Sequence, residues 1–408
     1  MIPVEKALEY LNHEIPRTGC ERVPLLDARH RFACKDILAT DPVPPHDNSA
    51  MDGFALRSTE TLHATPESPV SLEVSGEIPA GTPVEGNHVP AGQAIAIMTG
   101  APVPPGMDCV IPVEDCLREE NRILINRPLT EGENIRRRGE DIPGEAVVIE
   151  CGTFIDSAEL GLLASINSPV VDVFTKPRVA ILATGNEIIE PGEDKTQGQI
   201  YNSNAYTLYS EIQNSYCEPV YLGIVDDSPD LLTGALEKAS EYDVVVTTGG
   251  VSMGNYDFVR PSLEKIGVTV YFDRMKIKPG KPFTFGRRGQ TLYFGLPGNP
   301  VSSLLIFMEF VRPVLLSMMG ARNRYRPRFR AILDTPLKKK KGKRHYQRGI
   351  LHVKDSTLHV SSTGFQGSGI LTSMSLANCI IEIEEERENP DAGEEVTIKL
   401  IHHREIHG

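Results

Sequence analysis

The chain is short of positive charge. With 42 Lys and Arg against 55 Asp and Glu, its formal net charge is -13 and its pI is near 5.4. Such a surface repels phosphate backbones, which argues against a nucleic-acid partner. The one dense basic run, Lys338 to Arg344 (KKKKGKR), reads as a solvated turn. A charge change at Lys339 is therefore expected to leave anion binding untouched. No C-x-x-C pair occurs, and the seven cysteines (20, 34, 109, 116, 151, 217 and 379) are odd in number, so they read as free thiols in a reducing cytosol. His402, His403 and His407 lack a neighbouring carboxylate or Cys ligand and read as a frayed tail.

Long hydrophobic runs are also scarce. The opening MIPVEKALEYLNHEIP has no basic start followed by an apolar stretch, which is not the pattern of a secretory signal. The longest apolar run, Val301 to Leu316, is interrupted by Glu309, Arg312 and Pro313, so it is not expected to span a membrane, and the protein is assigned to the cytoplasm. No repeat of solenoid period is visible.

A chain of 408 residues with 40% hydrophobic content exceeds the size at which one core stays continuous, so several domains are expected. A short helix over Val4 to Leu11 opens it. Residues 23–137 are dense in Pro and Gly, with brief strands such as SLEVSGEI and AIAIMTG, and read as a small β domain. The strand-like AVVIEC and a helix over Ser157 to Ala164 follow. That helix is expected to bring the chain back to the opening one, so that 1–22 and 138–176 form a discontinuous α+β domain that links or dimerises.

From Pro177 strands alternate with helices. RVAILATG, PVYLGIV, DVVVTTGG and TLYFGLPG lack polar alternation, as parallel strands buried on both faces do. Helical spacing occupies Asn202 to Tyr216, Pro229 to Ala239 and Phe258 to Ile266. Residues 177–322 thus read as a doubly wound α/β domain. Residues 323–408 return to strand and turn without helical period, a terminal β domain of barrel or sandwich type.

In open parallel sheets ligands collect beyond the carboxyl ends of the strands. The loops expected there are TGNE (184–187), VDDS (225–228), TTGGVSMGNYD (247–257), KIKPGKP (276–282) and LPGNPVSS (296–303). Gly249, Gly250 and Gly254 would let backbone amides approach a ligand. The helix opening at Ser302 would aim N–H groups and its positive end at an anion, and Lys278 and Lys281 add two ammonium charges. Asp226, Asp227, Asp257 and Glu187 place carboxylates beside that anion site, an arrangement that calls for a bridging cation such as Mg²⁺.

These residues carry a resemblance. DNSAMDGFA (47–55), IMTGAPVPPGMD (97–108), GENIRRRGEDI (132–142), TGNEI, GGVSMGNYD, KPGKPFTFG, LPGNPVSS and STGFQGSG (362–369) resemble, in order and over essentially the whole chain, the molybdopterin molybdenumtransferases, the MoeA and gephyrin E-domain family. The resemblance implies a central MogA-like α/β domain and a C-terminal β-barrel-like domain. It also implies insertion of molybdate into adenylylated molybdopterin, with Mg²⁺-dependent hydrolysis of the adenylate to AMP.

The implied oxyanion site is Lys278, Lys281, Pro282 and Ser302, within the turn Pro297, Asn299 and Pro300, joined by Arg348 and Ser368 from the terminal domain. Asp257 and Asp226 would serve Mg²⁺, with Asp227 as alternative ligand. Ser252 and Glu187 would contact the pterin nucleotide. Asp52 and Thr99 would complete the site from the other subunit of a homodimer. Asn186 stands where many members carry Asp, which removes one charge. No adenylyltransferase domain is recognisable, so a separate protein would supply the adenylate. An adenylyltransferase and a non-catalytic scaffold are the competing readings. The Pro-rich and terminal β domains argue against the first, and the convergence of charged residues on one edge argues against the second.

Overall fold

The computed structural model describes residues 1–13, 15–83, 88–250 and 258–401. Ser252, Gly254 and Asp257 lie outside them, as do His402, His403 and His407.

At the centre is a six-stranded sheet in the order Glu218–Val225, Arg178–Thr184, Val244–Thr248, Thr291–Leu296, Pro282–Arg288, Thr269–Arg274. The first four strands are parallel and the last two join antiparallel. Strands 178–184, 244–248 and 291–296 are buried almost throughout, as their unbroken apolar sequences require. PVYLGIV departs from that expectation. Strand 218–225 is the sheet edge and only half-buried, because neighbours cover it on one side. The expected helices appear at Ser203–Asn214, Pro229–Ala239 and Val259–Lys265.

Strand 178–184 pairs with 218–225 on one side and with 244–248 on the other. The chain therefore reverses direction across the sheet between 178–184 and 244–248, and this topological switch point opens a crevice at the strands' carboxyl ends.

A continuous helix, Pro300–Met318, crosses beneath the sheet. It is long and apolar enough to cross a membrane, but most of it is buried in the central core. Glu309 sits within its π-helical segment Phe307–Val311. There it pairs with Lys399, which also reaches Glu382 at 3.1 Å, so the charges that interrupt the apolar run fasten the helix to the terminal domain.

That domain is a closed five-stranded barrel. Arg344–Lys354 pairs with both Thr357–Ser362 and Cys379–Ile383, and the ring closes through Glu395–Leu400 and Arg328–Leu333. One short helix, Leu371–Leu376, occupies a stretch expected to lack any. The two-residue strand Ile277–Lys278 of the α/β unit pairs in parallel with Arg344 and His345, stitching the two domains together beside the crevice.

The Pro/Gly-rich region builds a second six-stranded sheet around Gly53–Leu56, Val70–Ile78 and Gln93–Ile97. The strands Cys20–Pro24, Arg31–Phe32 and Ile37–Leu38 pair with Val170–Phe174, Phe154–Ile155 and Val147–Ile149. The expected boundary at residue 22 thus falls inside a paired strand. The opening helix, Val4–Asn12, does not meet the helix Ser157–Ser165. Val4, Ala7 and Leu11 join the central core, where Tyr10 stacks on Tyr271, whereas Leu163 packs in a separate core with Val23, Ala28 and Ile155.

Two charge-and-thiol expectations are corrected. Cys20 and Cys34, which flank the strand Val170–Phe174, form a disulfide with their Cα atoms 6.1 Å apart, so these two are not free thiols. The Lys338 to Arg344 run is not simply a solvated turn. Lys339 is 2% exposed, its ammonium donating to the carbonyls of Glu385 at 2.8 Å and Arg387 at 2.6 Å. Arg344 pairs with Glu385, Glu382 and Glu5.

Candidate active site

A cleft of about 1620 Å³ opens at the switch point, between the α/β sheet and the loop 362–369 of the barrel. Its floor is the pair of strand ends, Thr184–Gly185 and Gly249–Gly250. Gly249, at φ +98°, is required there, because a Cβ would stand 2.2 Å from the Thr184 carbonyl oxygen. Gly185, at φ +147°, leaves room for the Glu187 carboxylate, which a Cβ would meet at 2.8 Å.

On one wall, Glu187 and Asp227 line the cleft. Asp226 does not, although the sequence ranks it first: it is exposed, and the chain's turn aims the next residue inward. Asn186 holds that turn by accepting the Asp227 backbone N–H at 2.9 Å. Burial pushes the Asp227 carboxyl above its ordinary range. The Asn186 N–H opposes this, and the charges of Glu187 and Asp226 add to it. Repulsion of this kind is relieved by a cation, and hard carboxylate oxygens suit Mg²⁺, so the residues present fit that ion.

The rest of the lining includes a cation and polar groups. Lys278, Pro282, Pro297, Asn299, Pro300, Ser302 and Ser368 all line the cleft. Lys281 falls between two lining residues but is not itself among them. Pro300 has no N–H, and Val301 N–H is taken by the Ser368 carbonyl at 3.1 Å, so the helix's first turn offers fewer donors than the sequence suggests. That same bond docks the 362–369 loop onto the helix.

Arg348 is fully buried beneath the loop rather than in the cleft. Its guanidinium donates to Ser373 Oγ at 3.0 Å, Gly367 O at 2.9 Å, Gln366 O at 3.3 Å and Phe365 O at 3.4 Å. Gln366 returns the contact, its Oε1 accepting Arg348 N–H at 2.9 Å. Burial pulls the guanidinium down to about 10. It therefore remains a cation, with carbonyl dipoles as its partners.

Several lining residues were not singled out from sequence, Asn204, Phe365 and Gln366 among them. Asn204, 8% exposed, donates to Thr248 Oγ1 at 2.8 Å and Gly298 O at 2.7 Å, bridging two of the ligand loops, while its Oδ1 has no partner. Phe365 and Gln366 lie inside STGFQGSG, where nothing but contact with the cleft distinguishes them. Asp52 and Thr99 lie in the Pro/Gly-rich domain and do not line the cleft of their own chain.

The chain matches three family models in sequence: the MoeA N-terminal region (domain I and II) over residues 2–167, a probable molybdopterin binding domain over 180–317, and the MoeA C-terminal region (domain IV) over 330–401. The molybdopterin molybdenumtransferase of Haemophilus influenzae is 37% identical over 408 residues, covering 99% of both chains. The chain belongs to the molybdopterin molybdenumtransferase family. The member from Bacillus subtilis is 33% identical, covering 98% of this chain and 94% of its own. The crystal structure of the molybdopterin biosynthesis MoeA protein from Pyrococcus horikoshii OT3 superposes with a TM-score of 0.86 at 32% identity, covering 98% of this chain and all of that one. The central α/β, β and terminal barrel architecture is thus shared with that structure over the full length.

Proposed function

We propose that this chain is a molybdenum insertase, joining molybdate to adenylylated molybdopterin while water cleaves the phosphoanhydride, with release of AMP and molybdenum cofactor. The observation that carries this reading is one cleft lined both by the carboxylates Glu187 and Asp227 and by Lys278, Ser302 and Ser368. Two anionic substrates must meet there, and each set serves one of them.

Lys278 attracts the molybdate dianion, aided by Lys281, and Ser302 and Ser368 orient its oxygens beside Pro282. Pro297, Asn299 and Pro300 shape the turn that seats it, and Arg348 keeps the loop over it. Asp227, with Asp226 and Asp257, would hold Mg²⁺, which neutralises phosphoanhydride charge when bound. Glu187 and Ser252 contact the pterin nucleotide. The dithiolene sulfurs of the substrate bind the metal, so the chemistry needs orientation and charge neutralisation and no catalytic Cys.

Asp52 and Thr99 are assigned to the cleft of the partner subunit in a homodimer. The adenylate is assigned to a separate adenylyltransferase, and the location to the cytoplasm. For the domain division, 1–22 with 138–176, 23–137, 177–322 and 323–408, the strand pairing favours moving residues up to Leu38 into the linking unit.

The test is AMP release from adenylylated molybdopterin, followed with and without Mg²⁺ and with and without molybdate. Release that requires Mg²⁺, coupled to cofactor formation when molybdate is present, is expected. Consumption of ATP with free molybdopterin would instead identify an adenylyltransferase, and no turnover of either substrate would leave a scaffold. Lys278→Met should lower molybdate affinity roughly ten- to hundredfold, the worth of one charge-assisted contact, and Lys281→Met, outside the lining, should lower it less.

A further inference from the structure

On the barrel, away from the cleft, two histidines and an aspartate converge. His352 and His359 are register partners on the antiparallel strands 344–354 and 357–362. Cross-strand partners project from the same sheet face, which puts both rings side by side, their centroids 5.9 Å apart. Asp334 follows the strand 328–333, which pairs in parallel with 357–362 through Ile332 and His359. Its backbone N–H donates to the Val360 carbonyl at 3.0 Å.

The carboxylate lies between the two rings. Asp334 Oδ1 is 3.0 Å from His359 Nδ1, and Oδ2 is 3.7 Å from His352 Nε2. One ligand atom from each residue falls within 4.8 Å of the others. Ligands each about 2.0–2.2 Å from one ion stand about 3.0–3.5 Å apart in octahedral or tetrahedral geometry, so modest ring rotation completes the set. Ser361 Oγ donates to Asp334 Oδ2 at 2.5 Å, the kind of outer contact that fixes a ligating carboxylate. All three residues are partly buried, two on paired strands of the closed barrel and Asp334 directly after a third, where its N–H is bonded to Val360, so their mutual geometry is set by the fold.

We propose that His352, His359 and Asp334 form a binding site for a divalent transition-metal ion, separate from the carboxylate wall of the cleft. Two imidazoles and one carboxylate select Zn²⁺, Co²⁺, Ni²⁺ or Fe²⁺ over Mg²⁺, whose preference is for oxygen. Three protein ligands leave at least one position for water or an anionic oxygen. The face lies on the strand that carries Arg348, four residues from it, a separation of about 13 Å along the strand. The ion would therefore brace the two strands leading into the 362–369 loop.

The test uses the full chain, stripped with chelator and desalted, titrated with Zn²⁺ by calorimetry and with Co²⁺ by its visible absorption. One equivalent should bind with a Co²⁺ spectrum, and His352→Gln and His359→Gln should each weaken it by at least about tenfold, with unchanged circular dichroism. Asp227→Asn should leave this binding unaltered. A chain with His402, His403 and His407 all changed to Gln should keep it. The inference is overturned if the parent binds neither metal, if both ring substitutions leave binding intact, or if only the tail substitutions abolish it.

Discussion

Among the described residues, Thr99 holds the carboxylate of Asp52: Oδ1 accepts both the Thr99 backbone N–H and its hydroxyl, each at 2.7 Å. Asp52 is exposed, and these donors hold its carboxyl below the usual range, the backbone bond contributing more than the hydroxyl. An ionised carboxylate thus stands fixed on the surface.

If it completes the partner's cleft, a mixed dimer of Asp52→Ala and Lys278→Met chains holds one site with both lesions and one with neither. Two inactive homodimers should regain up to roughly half the parental activity on subunit exchange, by twofold symmetry. Activity that stays absent after exchange has been verified by mass would place Asp52 in its own chain's chemistry.

Asp227 should trade stability for ligand binding. Its folded-state carboxyl is raised, so the folded chain holds that proton more tightly than the unfolded one, and the associated stability is lost as pH rises through the folded value. Asp227→Asn should therefore melt higher than the parent at pH 8, with the gap closing below about pH 4. Mg²⁺ should raise the parent's melting temperature but not the variant's. A variant that melts at or below the parent at pH 8 would contradict the electrostatic reading.

Arg348 should act through the loop. Arg348→Lys keeps the charge but cannot reach Ser373 and three loop carbonyls together. Faster hydrogen exchange across 362–369 and weaker molybdate binding are expected, at a cost of about 1–3 kcal/mol in stability. Unchanged exchange in that loop would remove the positioning role.

His345, 6% exposed, is drawn down to about 4 by burial first and then by the charges of Lys278, Lys339 and Lys343. It is neutral in the fold, while the unfolded chain protonates it near the ordinary value. Its contribution is fully present above about pH 6.5 and is lost as pH falls toward 4, by at most about 3 kcal/mol. His345→Gln should flatten the stability curve over that window. Denaturant midpoints measured at half-unit intervals would show it.

Lys339→Met should destabilise the barrel by about 1–3 kcal/mol, since it strands the Glu385 and Arg387 carbonyls that the ammonium satisfies. Lys341→Met, on an exposed neighbour, should be close to neutral. Equal urea midpoints for the two variants would reverse the burial argument.

The sequence alone determined the strands and the loops that line the cleft. Apolar runs such as RVAILATG and TLYFGLPG admit little but buried strands, because a backbone that crosses a core must pair its N–H and C=O groups. Glycines such as Gly249 mark the places where chains touch. The family followed from motifs of the same origin. Tertiary structure alone decided which member of each charged pair faces the cleft, because neighbours in sequence point apart and only the surrounding elements say which side is inward. That is why Asp227 lines the cleft where Asp226 does not, and why Arg348 donates to the carbonyls of a loop. It also decided that a run of lysines includes one buried ammonium: the carbonyls that solvate Lys339 come from residues 46 and 48 positions away. Local sequence cannot show a charge its partners when folding delivers them from another strand.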